Sequence, residues 1–413
     1  MTYKEALEYL YSRLPMYQRE GKSAYKKDLT NTLALLEMLG NPHLKLKTVH
    51  IAGTNGKGTC AHGIAAILQV AGYKTGLYTS PHLKHFSERI KVDGREIPEA
   101  SVAAFTERMV PAVEQIQPSF FELTVAMAFY HFSQAQVDIA VIETGLGGRL
   151  DSTNVISPEV SLITNIGFDH MDLLGDTLEK IAFEKAGIIK NEVPVVIGLY
   201  QKETYPVFVA KAKKCNAELI LGREGRLEKD EEDVFVPYHK SLNRNAIFTV
   251  AKVLQRQGWA LDDQDIVQGF SEMEKISRLK GRFQFLDYNP TIIADVSHNV
   301  DGLKVLFNQI STLLSQNGDG GRLLLIFGTV KDKDLSPILA LIPERAICYW
   351  TQSKIPRALP AAELQLLAKN QMLHGEVFEN VNDAIESARQ EAQIDDIVLV
   401  TGSTFVVAEI ADL

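Results

Sequence analysis

The sequence predicts an α/β fold in two domains, each a largely parallel sheet covered by helices. Short apolar runs, of strand length, alternate along the chain with stretches whose apolar residues recur at three and four positions. Those runs read as strands buried on both faces, as helix-covered sheets require. The length of 413 residues also exceeds what one hydrophobic core usually supports. We therefore expect two domains, residues 1–282 and 283–413.

The elements follow in order. Residues 1–15 carry Ala6, Leu7, Leu10, Tyr11 and Leu14 at helical spacing, interrupted by Lys4, Glu5, Glu8 and Arg13. That pattern suits a surface helix and neither a signal peptide nor a membrane span. From Thr48 the strand-like runs are TVHIA (48–52), TGLYT (75–79), DIAVIE (138–143), VSLITNI (160–166) and VPVVIG (193–198), with helical patterns at 60–71 and 119–134 between them. Residues 223–233 are charge-dense and read as a solvated loop or edge hairpin, and 275–282 is the candidate hinge. A second series follows: PTIIADV (290–296), RLLLIFG (322–328), AICYW (346–350) and DIVLVTG (396–402), with helices expected at 301–314 and 381–393.

Composition narrows the function. The 43 basic and 52 acidic residues give a net charge of -9, which speaks against nucleic acid or an anionic membrane as the main partner but permits a local basic pocket. Cys60, Cys215 and Cys348 are odd in number and far apart, so neither a disulfide framework nor a thiolate metal site is expected. A reducing, cytoplasmic compartment is the natural setting.

The strongest local signal is HIAGTNGKGT (50–59). A strand runs into Gly53, Gly56 and Gly58, with Thr54, Asn55 and Lys57 among them, and a helical pattern opens at Thr59. Glycines let backbone N–H groups approach an anion, and the following helix N-terminus adds its positive end. Lys57 supplies a point charge for terminal phosphates and the Thr59 hydroxyl a magnesium position. Gly58 separates the lysine from the hydroxyl, unlike the common G-x-x-x-x-G-K-[ST] pattern. The first domain is accordingly expected to be a P-loop ATPase domain, and the second a smaller C-terminal Rossmann-like α/β domain.

Open α/β sheets place ligands beyond the carboxyl ends of their strands. Four such ends carry chemistry: TSPH (79–82); Glu143, running into TGLGGRLD (144–151); Asp169 and His170; Asp295 and His298. Gathered on one edge, they would form a nucleotide and divalent-metal site. Magnesium keeps several waters, so Glu143 and Thr59 suffice for one ion; His170 suggests a second, and manganese tolerates a histidine better. Residues 173–190 read as a helix from Asp176, an N-cap, to Gly187, a C-terminal glycine, with Lys185 opposing the helix dipole in its last turn.

Seven segments then match a family in order: HIAGTNGKGT, YTSPHLKHFSERI (78–90), ETGLGGRLDSTNV (143–155), ITNIGFDHMDLLGDTLEKIAFEKAGIIK (163–190), ADVSHNVDG (294–302), FGTVKDKD (327–334) and TGSTFVVAEI (401–410). Together they resemble bacterial folylpolyglutamate synthase, often bifunctional as dihydrofolate synthase, within the Mur ligase group. The resemblance implies that Gly53 to Thr59 hold ATP phosphates, that Thr59 and Glu143 bind one magnesium, and that Glu143 with His170 bind a second. It implies a carbamate on Lys185, an anion able to support the metal's water shell. It makes Arg282, in KGRF, a hinge arginine that reaches a nucleotide phosphate, and Asp295 and His298 the second domain's contribution to the nucleotide. Asn245 resembles an asparagine near the base or ribose, although YHKSLNRNA (238–246) lacks the usual His-Gln before it. Val300 stands where a proline commonly follows the DxxHN motif.

The implied chemistry is ATP-dependent amide formation between L-glutamate and a folate-type carboxylate, dihydropteroate or a reduced folate, through an acyl phosphate. Lys57, Lys185 and His298 are the expected catalytic residues, in a monomer without nucleic-acid or membrane partners. The competing readings are a Mur-type ligase acting on a UDP-sugar, disfavoured by TSPH and GLGGRLDSTNV, a nucleotide-gated switch without ligation, and a homologue with a dead site.

Overall fold

A computed structural model describes residues 1–16, 28–222, 238–317 and 320–413, with side chains except at 238–241 and 317. The loop expected at 223–233 lies outside the described residues, as do residues 17–27. Met1–Leu279 and Lys280–Leu413 form two compact units. Arg282 stands with the second unit rather than closing the first.

In the first unit, β1 (Thr48–Ala52), β2 (Thr75–Tyr78), β3 (Ile90–Val92), β4 (Arg95–Glu96), β5 (Ile139–Glu143), β6 (Val160–Ile163), β7 (Val195–Ile197) and β8 (Leu219–Leu221) make one sheet. Its order is β4, β3, β2, β5, β1, β6, β7, β8. Pairings from β2 to β8 are parallel, and β3 runs antiparallel to both its neighbours. Every residue of β1, β5 and β6 is buried. Successive side chains of β5 serve opposite faces. Ala140 and Ile142 pack with the helices Glu99–Ile116 and Phe120–Ala135, whereas Ile139 and Val141 pack with Lys57–Val70 and Tyr238–Arg256. Each buried Val or Ile contributes about 1.5–3 kcal/mol, which makes such a run a strand with two covered faces. The N-terminal helix, Tyr3–Arg13, has a Thr2/Glu5 capping box and buries Ala6 and Leu10.

One expected helix is different in detail. Residues 173–190 contain the helix Leu178–Lys185, capped by Thr177, whose hydroxyl accepts the Lys180 N–H. Asp176 is not the cap; its carboxylate accepts from Lys180 Nζ at 2.7 Å. Nor is Gly187 a left-handed terminator, since it lies in the 3-10 turn Ala186–Ile188 without a positive φ. A Cβ on Gly187 would lie 2.2 Å from Arg149 Cα, so glycine is needed there for close backbone approach.

In the second unit, β9 (Gln284–Tyr288), β10 (Thr291–Ala294), β11 (Leu323–Phe327), β12 (Ile347–Trp350), β13 (Gly375–Val377) and β14 (Ile397–Thr401) lie in the order β13, β12, β11, β14, β10, β9. All pairings are parallel except β9 with β10. Phe283, Ile293, Leu325, Trp350 and Leu399 form a core with the helices Val300–Asn317 and Ala361–Lys369.

Candidate active site

The order β2, β5, β1, β6 sets four parallel strands side by side, so their carboxyl ends share one edge. The TSPH segment, Glu143, the glycine loop and the Asp169–His170 pair all issue from that edge. Asp295 and His298 do not; they follow β10 on the other sheet, and sheet geometry gathers three of the four expected ends rather than all four.

The glycine loop is laced to the chain leaving β6. Thr54 N donates to Asn165 O (2.9 Å), Asn55 N to Asn165 Oδ1 (3.0 Å) and Thr164 Oγ1 to Asn55 O (2.6 Å). Gly56 is left-handed at φ 82° and precedes the helix Lys57–Val70, which begins two residues ahead of the expected Thr59. A Cβ there would lie 2.4 Å from Asn243 Oδ1. Gly58 and Thr59 are buried in the first helical turn.

Two ammonium groups converge on one carbonyl. Gly53 O accepts from Lys57 Nζ at 3.0 Å and from Lys185 Nζ at 2.7 Å, and Lys57 Nζ also reaches Thr54 O at 3.2 Å. Burial first, and repulsion from Lys57 second, bring the Lys185 amine down to about 7, against the pull of Asp169 and Asp151. Lys185 is aimed there by its loop neighbours. Arg149 N donates to Glu184 O (2.7 Å), and Asn154 Nδ2 donates to Gly187 O (3.1 Å), tying GGRLDSTN to the end of the helix Leu178–Lys185.

Glu143 is buried and pairs in register with Ile51 of β1, directly before the glycine loop; its Oε2 accepts from Ser80 N at 3.1 Å. Beyond it, Asp151 accepts from Leu146 N (2.8 Å), Thr153 N (3.0 Å) and Thr153 Oγ1 (2.6 Å). His50 Nε2 completes the chain, donating to Thr153 Oγ1 at 2.8 Å, because the threonine proton is already given to Asp151. Burial lowers the His50 ring to about 3, so it is neutral. His170 is left-handed at φ 49°, with its N–H on Asp169 Oδ1 at 3.0 Å.

Among the described residues, no group of three or more His, Cys, Asp or Glu is placed to hold a metal. The donors at hand, a buried carboxylate, a buried hydroxyl and an imidazole, fit a hard cation that keeps waters and shares phosphate oxygens.

In the second unit, both Asp295 oxygens hold backbone. Oδ2 accepts from Phe283 N (2.7 Å) and Oδ1 from Ser297 N (2.8 Å), which straps the turn carrying Arg282 to the end of β10. His298 Nδ1 donates to Val296 O at 2.9 Å.

Sequence reasoning missed several participants. Asn243 is buried against the glycine loop, with the Cys60 thiol 3.7 Å from its Oδ1, whereas Asn245 O accepts the Thr249 hydroxyl at 2.7 Å. The two asparagines stand two residues apart within SLNRNA, and sequence alone does not give the helix phase that turns Asn243 toward the glycine loop. Thr164 and Asn165 were visible within ITNIGFDH but had no assigned task.

A parallel sheet with a phosphate-type loop at its central strand, a lysine pair and a buried carboxylate on the same edge is the arrangement of a P-loop nucleotide-binding domain, and the comparisons make it that of an ATP-dependent ligase of the Mur type. The family model described as Mur ligase middle domain matches residues 51–252, and that described as Mur ligase, glutamate ligase domain matches 281–404. Folylpolyglutamate synthase of Lacticaseibacillus casei is 32% identical over 445 residues, covering 99% of this chain and 98% of that protein. Escherichia coli FolC in complex with DHPP and ADP superposes with a TM-score of 0.83 at 29% identity, covering 99% of this chain and 96% of that one. A bifunctional folylpolyglutamate synthase/dihydrofolate synthase with Mn, AMPPNP and L-glutamate bound gives 0.81 at 30% identity, with coverage of 99% and 97%. The chain belongs to the folylpolyglutamate synthase/dihydrofolate synthase family of Mur ligases. No helix among the described residues is long and apolar enough to cross a membrane.

Proposed function

We propose that this chain joins L-glutamate to dihydropteroate, to reduced folates, or to both. The γ-phosphoryl group of ATP passes to the substrate carboxylate, giving an acyl phosphate and ADP. The glutamate amine then attacks the acyl carbon, losing a proton as the amide forms and phosphate leaves. Phosphoryl transfer depends on positioning and charge neutralisation rather than on a protein nucleophile. The observation that carries this reading is the convergence of Lys57 and Lys185 on Gly53 O, beside Glu143, on one sheet edge.

Within it, backbone N–H groups of Gly53 to Thr59 hold the phosphates, and Lys57 turns its charge toward them. Thr59 and Glu143 would hold one magnesium and Glu143 with His170 a second, or manganese in its place; a bound divalent ion supplies neutralising charge to the phosphates. With its amine brought down to about 7, a substantial share of Lys185 is neutral near pH 7, and the neutral amine is the form that adds carbon dioxide, which supports a carbamate there. Arg282 reaches a nucleotide phosphate, and Asp295 and His298 serve the nucleotide from residues 283–413. For the asparagine near the base or ribose, Asn243 is a stronger choice than Asn245 because it abuts the glycine loop. The free Cys60, Cys215 and Cys348 suit the cytoplasm, where we expect a monomer.

The test is ADP release with ATP and glutamate, offering dihydropteroate, tetrahydrofolate or a UDP-muramyl substrate in parallel. Release with either pterin supports the reading; silence with all three defeats it. After incubation with ¹³C-labelled bicarbonate, a carbamate would give its own ¹³C resonance, separate from that of free bicarbonate, and Lys185→Arg would abolish it.

A further inference from the structure

The four residues Thr79 to His82 connect two buried charges. Ser80 N donates to Glu143 Oε2 at 3.1 Å, and two residues on, His82 Nδ1 accepts from Arg89 Nε at 2.7 Å. Thr79 N donates to Arg89 O at 3.0 Å, so the segment is pinned to Arg89 at both ends. Arg89 is only 3% exposed and its guanidinium lies over the Phe120 ring, 5.3 Å from the centroid. The Tyr78 hydroxyl lies beside it but outside hydrogen-bond geometry.

Among the described residues, Arg89 makes no ion pair with a carboxylate. Removing a guanidinium from water without such a partner is energetically costly. Core packing alone does not call for it, since an apolar side chain of that volume would fill the same space. What only arginine offers is an Nε–H at a fixed angle to a plane that stacks on an aromatic face. Those two features are the ones in use, one on His82 and one on Phe120.

We propose that Arg89 is a positioning residue for the divalent-metal site. Through His82 it fixes the Thr79–His82 turn, and the Ser80 amide in that turn holds the Glu143 carboxylate in the orientation that receives the ion. Arg89 touches neither ion nor substrate in this role; it acts through two hydrogen bonds in series. The proposal rests on the reading of Glu143 as a metal ligand.

The experiment is direct binding of Mn²⁺ in the presence of AMPPNP, followed by the electron paramagnetic resonance of free Mn²⁺. Outer partners of a metal ligand change affinity by about 10- to 100-fold when removed. Arg89→Met and His82→Leu should each weaken Mn²⁺ by at least about tenfold on that scale, with a cooperative melting transition retained. Arg89→Lys, which keeps the charge but loses the fixed Nε, should fail as Arg89→Met does. His82→Gln, whose Oε1 still accepts from Arg89 Nε, should recover most of the affinity. A folded Arg89→Met or His82→Leu protein that binds Mn²⁺ as the wild type does would overturn the proposal. If Arg89→Met does not fold, the His82→Leu and His82→Gln pair reads the same contrast. Glu143→Ala separates the two levels. If it too leaves Mn²⁺ binding unchanged, the metal assignment falls, whereas loss there with retention in Arg89→Met removes only the strut.

Discussion

Lys185 shows how one side chain takes its chemistry from its surroundings. Its Nζ is buried, shares the Gly53 carbonyl with Lys57, and titrates at about 7 instead of the usual 10.5. Between those values the unfolded chain binds one proton more than the folded chain. Stability attributable to this group therefore rises with pH, by about 1.4 kcal/mol per unit across that window, and is lowest below pH 7. We predict that Lys185→Met is more stable than the unmodified wild type at pH 6, and that its advantage shrinks steadily toward pH 9. Denaturant titrations in bicarbonate-free buffer check this; a difference independent of pH would refute it. Asn243 makes a second residue-scale case. Its amide oxygen stands where any Cβ on Gly56 would fall, so it forms one wall of the phosphate loop. Asn243→Ala should raise the KM for ATP about tenfold, equivalent to about 1.4 kcal/mol of binding, and Asn245→Ala should raise it less. Equal effects, measured by steady-state kinetics, would remove the distinction.

At the scale of elements, the helix Leu178–Lys185 carries Lys185 and is started by Thr177 rather than Asp176. Thr177→Ala should destabilise the protein by about 1 kcal/mol, the usual worth of an N-cap. Asp176→Ala removes a solvent-exposed pair with Lys180 and should leave the melting transition unchanged. The reverse order in thermal melts would restore the aspartate as cap. Sequence pattern failed here because Asp and Thr are both good caps and stand side by side. It succeeded for β1, β5, β6, β11 and β14, whose every residue is buried, because burial on both faces forces a continuous apolar run. It missed β3 and β4, which are short, form the antiparallel end of the sheet and carry Lys91, Arg95 and Glu96. Lys91 Nζ there donates to Ser277 O at 3.0 Å and Arg278 O at 3.3 Å, a tertiary cap that no local pattern signals. The site was legible where one motif holds the whole task, as in GTNGKGT. It was not legible where the task depends on residues brought together by the sheet, as with Thr164, Asn165 and Arg89.

For the whole molecule, the net charge of -9 is compatible with the anionic substrates of the proposed function because positive charge can be local, from Lys57 and the N–H dipoles of the glycine loop in the first unit and from Arg282 in the second. Each unit draws its cores from its own residues. The turn that presents Arg282 is likewise set inside the second unit, where Val296 N donates to Gly281 O at 3.0 Å and Phe283 N to Asp295 Oδ2 at 2.7 Å. A fragment of residues 280–413 should consequently unfold cooperatively by itself, yet catalyse no ADP release, because the phosphate loop and lysine pair are in the other unit. Circular dichroism melts and the ADP assay check both halves, and a non-cooperative melt would show that the second core needs the first unit. In the full chain, Arg282→Ala removes a half-buried cation that is not itself a member of the apolar cores. Loss of a preorganised charge aimed at a reacting phosphate costs about a hundredfold in turnover, so kcat should fall by that order while the melting transition stays where it was. Wild-type turnover in a normally folded Arg282→Ala protein would end the role proposed for this arginine, and a lowered melting temperature would assign the residue to the fold instead.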